Sequence, residues 1–199
     1  MNEMVFPWDI DQQALKYAWP VSLIKNRRMP TRVWEAPADR TLDQAVKLLR
    51  FLQGSRNWVV CFSMSPSYMR TLYTYVEALW VLNTGTPFEE VDIKDTLMMF
   101  QQKSVEDERE EQVIETGLLV LPYTDAVNIS VQRAGSMFLS SVLMKRKVQR
   151  RATITDIFVS KPVDKEMARK EMRKLSDVYG TSVVDLFSGE ESKLVCVSM

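Results

Sequence analysis

The chain has 199 residues, 26 basic and 26 acidic, so its formal net charge is zero. That length suits one ordinary domain whose core can fold without metals or disulfides, and the charge balance excludes a whole-protein field drawing it to nucleic acid or membrane. Histidine is absent, which removes imidazole triads, histidine metal sites and the usual neutral-pH general base.

The N-terminus, MNEMVFPWDIDQQ, has no basic or apolar leader region, and no apolar run reaches about 18 residues, so neither secretion nor a membrane span is expected. Residues 1–40 hold four prolines and three tryptophans without a sustained period, which reads as an irregular arm before a domain over 41–199. Trp8, Trp19 and Trp34 are either anchors for a partner or aromatics that pack back onto the domain.

From Thr41, a plausible N-cap, the run TLDQAVKLLRFLQ places Leu42, Ala45, Val46, Leu48, Leu49 and Leu52 on one helical face that ends at Gly54. NWVVCFS follows as a buried strand. A helix from Pro66 to Gly85 comes next, with proline suited to its first turn. FEEVDI predicts a weak strand and DTLMMFQQK a short helix capped by Asp95. SVEDEREEQ predicts a solvated helix face or loop, and GLLVL a buried strand. SVQRAGSMFLSSVLMKRKVQR predicts a helix whose basic last turn complements its dipole. ATITDIFVS reads as a strand, VDKEMARKEMRKLSDVYG as one charged helix ending at Gly180, TSVVDLF as a short helix and KLVCVS as a closing strand. Strands alternating with helices predict a three-layer α/β/α fold with a mainly parallel five-stranded sheet.

Cys61 and Cys196 both lie in apolar strand-like runs and are expected as buried, reduced thiols of a cytoplasmic protein. Two distant cysteines cannot complete a zinc site, and no metal or cofactor is expected. Of the methionines, Met64, Met69, Met98, Met99, Met137, Met144, Met167 and Met172 mostly take helical positions, where methionine ordinarily fills gaps in the core.

MSPSYMRT, Met64 to Thr71, occupies the place of a phosphate loop of the form G-x-x-x-x-G-K-[ST]. Thr71 keeps a hydroxyl and Arg70 a positive charge, while Met64 and Met69 replace the glycines that let backbone N–H groups wrap a phosphate. After GLLVL, where an acid would hold magnesium, stand Pro122, Tyr123 and Thr124, and Asp125 comes late. In ATITDIF the position that would orient an attacking water is Ile157, beside Asp156. Ser65, Arg70, Thr71 and Asp125 are thus the remnant of a nucleotide site, with no catalytic residue among them.

In the order of these elements, over roughly Met29 to Met199, the chain resembles the AAA+ ATPase domain of the DnaC/DnaI/IstB group of helicase loaders and transposition helper ATPases. The segments that carry the resemblance are MPTRVWEA, NWVVCFSMSPSYMRTLYTYVEALWVLNTG, GLLVLPYTD, SSVLMKRKVQRRATITD and LSDVYGTSVVDLF. It places Arg70 and Thr71 at the phosphate-loop lysine and hydroxyl, Pro122 and Tyr123 at the paired acids, and Thr155 and Ile157 near the first sensor. Arg146 falls at a basic residue in a region that can act across subunits. It implies a noncatalytic, AAA+-like adaptor or regulator of DNA replication or transposition that works by protein contact, with a replicative helicase, an initiator or a related AAA+ protein as partner and with homo-oligomers conceivable.

Three other readings stay open. KRKVQRR puts Lys145, Arg146, Lys147, Arg150 and Arg151 at a helix end, either solvated and balanced by SVEDEREEQ or contacting DNA or an acidic protein surface, which would make the chain a DNA-binding accessory protein. The chain could also be a slow, atypical ATPase using Arg70, Thr71 and Asp125, or a scaffold subunit of an unrelated assembly. Within Lys161 to Lys174, Glu166 and Lys170 are placed for an i,i+4 pair on a solvated face. If the sheet has the family's order, the strands of Cys61 and Cys196 are neighbours.

Overall fold

The structure, a computed structural model, describes residues 38–54, 57–91, 106–122, 129–179, 181–190 and 192–197. The helices are α1 (Asp39–Gln53), α2 (Pro66–Thr84), α3 (Glu106–Glu115), α4 (Ile129–Val148), α5 (Lys165–Glu171), α6 (Arg173–Tyr179) and α7 (Thr181–Phe187). The strands are β1 (Trp58–Ser63), β2 (Phe88–Glu90), β3 (Leu118–Leu121), β4 (Ala152–Phe158) and β5 (Ser192–Val197). The strands form one sheet in the order β2-β3-β4-β1-β5, and every pairing is parallel.

Strand alternation divides the core between the two sheet faces. Val59 and Cys61 of β1, Leu118 and Val120 of β3, Ala152 and Ile154 of β4 and Val195 and Val197 of β5 pack with α1 and α2. Trp58, Val60, Phe62, Leu119, Leu121 and Ile157 turn the other way and pack with the helices α3, α4, α6 and α7. Both faces are covered, which is why these strands read as unbroken apolar runs rather than as alternating ones.

The expected apolar face of α1 is buried from Leu42 to Leu52. The helix starts earlier than expected, however: its N-cap is Ala38, which supplies no side-chain cap, and Thr41 sits buried in the first turn instead of capping it. The start of α2 follows its sequence signal closely, with Pro66 in the first turn, and Ser65, not foreseen in that role, is its N-cap. Gly85 closes it in the left-handed region at φ 70°, where glycine carries no Cβ penalty. Gly117 before β3 is required by close approach, since a Cβ there would lie 2.3 Å from Thr86 Oγ1.

The charged helix expected to run to Gly180 is instead broken at Met172 into α5 and α6. Ala168, Met172 and Leu175 are all buried in the same core cluster, so the chain bends to keep both segments on the sheet. The weak strand keeps only Phe88–Glu90 among the described residues. The short helix with Asp95, most of the 1–40 arm with Trp8, Trp19 and Trp34, and Met98 and Met99 lie outside the described residues. The strands of Cys61 and Cys196 are neighbours, as the family's order requires, with Phe62 opposite Cys196. Their thiols differ from the expectation of two buried groups: Cys61 is buried, while Cys196, on the edge strand β5, is exposed at an open pocket and donates to the Val163 carbonyl (3.2 Å). No helix among the described residues is long and apolar enough to cross a membrane.

Candidate functional site

In a parallel α/β sheet, ligands bind beyond the carboxyl ends of the strands. There the turn between β1 and α2 consists of Met64 and Ser65 alone, because the helix already begins at Pro66. Six of the eight positions aligned with a phosphate loop are therefore helical. The turn's own side chains and the helix take up the backbone donors at 65, 68 and 69. Ser65 N–H donates to Ser63 Oγ (3.1 Å), Tyr68 N–H to Ser65 Oγ (3.3 Å) and Met69 N–H to the Ser65 carbonyl (3.1 Å). Pro66 has no N–H to offer.

Ser65 and Thr71, two of the four residues expected as a nucleotide-site remnant, are bound up in the same way. Ser65 is the N-cap and shares a hydrogen bond with Ser67 Oγ (3.1 Å). Thr71 Oγ1 donates back to the Ser67 carbonyl of its own helix (3.2 Å). Arg70 is exposed, one turn into α2. Asp125 and Tyr123 lie outside the described residues. Met69 is buried and Tyr68 half-buried, its hydroxyl donating to Gln44 Oε1 of α1 (3.1 Å), but Met64 is 44% exposed and does not fill the turn.

At the carboxyl end of β3, Pro122 follows the strand directly. Thr155, beside it on β4, is buried and donates through Oγ1 to the Leu121 carbonyl (2.8 Å), while Ile157 points into the core on the α4 side. Asp156 faces α2 and accepts a 2.9 Å hydrogen bond from Tyr73 OH. Directly across the ladder stands Cys61, whose thiol is pushed well above its ordinary value by burial, and further by Asp156 and Cys196. This Tyr73–Asp156–Cys61 group was not foreseen, although the ladder position of Asp156 beside a hydrophobic Ile157 is a readable hint of a carboxylate turned toward a helix.

The basic run at the end of α4 is dispersed by the fold, and Arg146 must be withdrawn as a surface contact because it is fully buried. Its Nη1 donates to the carbonyls of Val113 (2.8 Å), Ile114 (3.0 Å) and Thr116 (2.9 Å), its Nη2 to the Ala152 carbonyl, and its Nε to Thr153 Oγ1 (3.3 Å). Burial, and after it Arg151, lowers the guanidinium pKa from its ordinary range to about 9, so it stays charged at neutral pH. It caps the end of α3 and ties that helix to β4. Lys145 pairs with Glu110 of SVEDEREEQ (2.7 Å), as the expected balance requires, whereas Arg151 pairs with Glu115 (2.7 Å), an acid of α3 beyond that segment. Lys147 donates to the Leu186 carbonyl (2.9 Å) and lies 5.7 Å from the centre of the Trp58 ring. Arg150 remains exposed. The expected Glu166–Lys170 pair is present at 3.4 Å with both side chains largely exposed, where such a pair contributes little.

No protein-family model matches the chain, and no curated protein sequence does. Its fold does match solved structures. The crystal structure of the DnaC helicase loader superposes with a TM-score of 0.56 at 17% identity, covering 81% of this chain and 93% of that one. The replication initiator DnaA bound to AMPPCP and single-stranded DNA gives 0.58 at 13% identity, covering 79% of this chain and 45% of that one. AMPPCP-bound DnaA from Aquifex aeolicus gives 0.55 at 11% identity, with the same coverage of 79% and 45%, so the chain spans less than half of either DnaA. At these identities the likeness is one of fold. With its five parallel strands in the order β2-β3-β4-β1-β5 between two helical layers, the chain has a DnaC-like AAA+ fold.

Proposed function

We propose that this chain is a noncatalytic AAA+-like adaptor or regulator of DNA replication, at the level of helicase loading or the primosome, or of transposition, and that it acts by protein–protein contact. The observation that carries the reading is the two-residue turn between β1 and α2, whose N–H groups at 65, 68 and 69 are already hydrogen-bonded within the turn. Opening it into a phosphate cradle would forfeit the Ser65 cap, worth about 1 kcal/mol. It would also expose Met69, worth about 2 kcal/mol. A penalty of about 3 kcal/mol weakens any nucleotide affinity by roughly two orders of magnitude. The core that supports the turn is intact, so the fold's outer surfaces are preserved where its usual ligand is disfavoured. The DnaC loader and the DnaA initiator, which share the fold, direct the reading toward replication.

Equilibrium binding of a fluorescent ATP analogue, with and without magnesium, tests the noncatalytic half. No saturation in the micromolar range is expected, and saturable binding with turnover would replace this reading by that of a slow ATPase. Affinity capture from the native cell tests the other half. Recovery of a replicative helicase or initiator is the expected result, and recovery of a secretion or envelope complex would overturn it.

A further inference from the structure

At the other end of the sheet, where the strands begin, an open cleft of about 570 Å³ runs between the carboxyl ends of α1, α2 and α4. Gln53, Asn57, Thr84, Thr86, Arg150 and Arg151 line it, and although the whole chain is neutral, no carboxylate is among its described lining residues. Lys147 also borders it, but its ammonium is turned toward Leu186 and Trp58. The charge of the cleft therefore rests on two guanidiniums. Arg151 gives Nη2 to Glu115 and has four further N–H donors. Arg150 makes no side-chain hydrogen bond or ion pair with any described residue.

Arg150 is also the one described non-glycine residue with positive φ, at 54°. It terminates α4 in the left-handed position that ordinarily takes glycine, at a cost of about 1–2 kcal/mol for a residue with a Cβ. The turn does not need a guanidinium. Its backbone is closed by Arg150 N–H to the Lys147 carbonyl (3.1 Å) and Arg151 N–H to the Arg146 carbonyl (2.9 Å), and Asn57 Nδ2 donates to the Arg150 carbonyl (2.6 Å). Nor does the helix dipole need it, since Lys145, Arg146 and Lys147 already occupy the last turn of α4, and Arg50 that of α1. An arginine in the left-handed region with no side-chain partner among the described residues, held beside a second one in a cleft with no carboxylate among its described lining residues, is arranged for an anion. The fork of a guanidinium matches phosphate oxygens best.

We infer that Arg150 and Arg151 form a phosphate-binding cleft at the amino-terminal end of the sheet, on the side of the molecule opposite the β1–α2 turn. The phosphate comes either from a nucleic-acid backbone or from a free polyphosphate. This inference goes beyond the adaptor reading and does not depend on it.

The test uses the full chain at low salt. A 5′-fluorescein oligo-dT strand is titrated by anisotropy, inorganic pyrophosphate is titrated by calorimetry and as a competitor at matched ionic strength, and a poly-glutamate peptide serves as a second competitor. Binding of oligo-dT, pyrophosphate or both is expected. Arg150→Gly and Arg151→Gln should each weaken it about tenfold, as the loss of a charged hydrogen bond does. For oligo-dT each should also lower the salt slope by about 1. Arg150→Gly should hold or raise the melting temperature, because glycine relieves the left-handed backbone, and Arg150→Lys, which keeps the charge but not the fork, should recover only part of the affinity. Displacement of oligo-dT by pyrophosphate identifies a free phosphate source, and resistance to it a polymer backbone; both fit the inference. Absence of binding to both probes, affinities unchanged in both variants, or equal competition by poly-glutamate, which would mean an acidic protein surface, would each overturn it.

Discussion

Arg146 shows how far a residue's role depends on what surrounds it. In KRKVQRR it is indistinguishable from its neighbours, yet it is the cation that the fold buries whole, with four carbonyls and a threonine hydroxyl around it. Truncation would leave those carbonyls buried and unsatisfied, so Arg146→Met should cost about 3 kcal/mol or more in urea unfolding. Arg146→Lys should recover only part of that, because an ammonium cannot span the end of α3 and the start of β4 together. Lys145→Gln, which breaks only a surface pair with Glu110, should cost under about 1 kcal/mol. The cysteines offer a second check at this scale. Cys196 should react with a thiol reagent in the native protein, and Cys61 only after unfolding, giving one fast and one protected thiol. Equal rates for the two would contradict the placement of Cys61 under α2.

Among the elements, α2 is the most fully legible from the letters that bound it. Proline at its start and glycine at φ 70° after its end act locally, so sequence reading places them without the rest of the fold, whereas Ser65, read there as part of a nucleotide-site remnant, is the N-cap. Ser65→Ala should therefore destabilise the protein by about 1 kcal/mol. Gly85→Ala should cost a similar 1–2 kcal/mol for forcing a Cβ into the left-handed region. The charged helices were less legible. Their i,i+4 pair is visible in the sequence, but the break at Met172 follows from burying Ala168, Met172 and Leu175 together on the sheet, which no local signal announces. The start of α1 also escaped, since Ala38 has no capping side chain to mark it.

For the whole molecule, the sheet order fixes where stability resides. β1 and β4 are each paired on both sides, whereas β2 pairs with β3 alone and has three residues. Backbone amides of Val59 to Phe62 and Thr153 to Ile157 should then be the slowest to exchange in deuterium, and those of Phe88 to Glu90 among the fastest of the strands. Exchange that is uniform across the strands would contradict this hierarchy. The sheet also accounts for which parts of the site were readable. The apolar runs, their alternation with helices and the absence of glycine from Met64 to Thr71 were determined by sequence alone, because burial on both faces and backbone freedom are properties of residue type and spacing. Only the tertiary structure decided that the basic run splits into the buried clamp Arg146, the ion-paired Lys145 and Arg151, Lys147 bonded to the Leu186 carbonyl, and Arg150 without a side-chain partner among the described residues. Likewise, only the fold placed Arg150 beside Arg151, Asn57 and Thr84 in one cleft, because that meeting depends on three helix ends brought together by the parallel sheet.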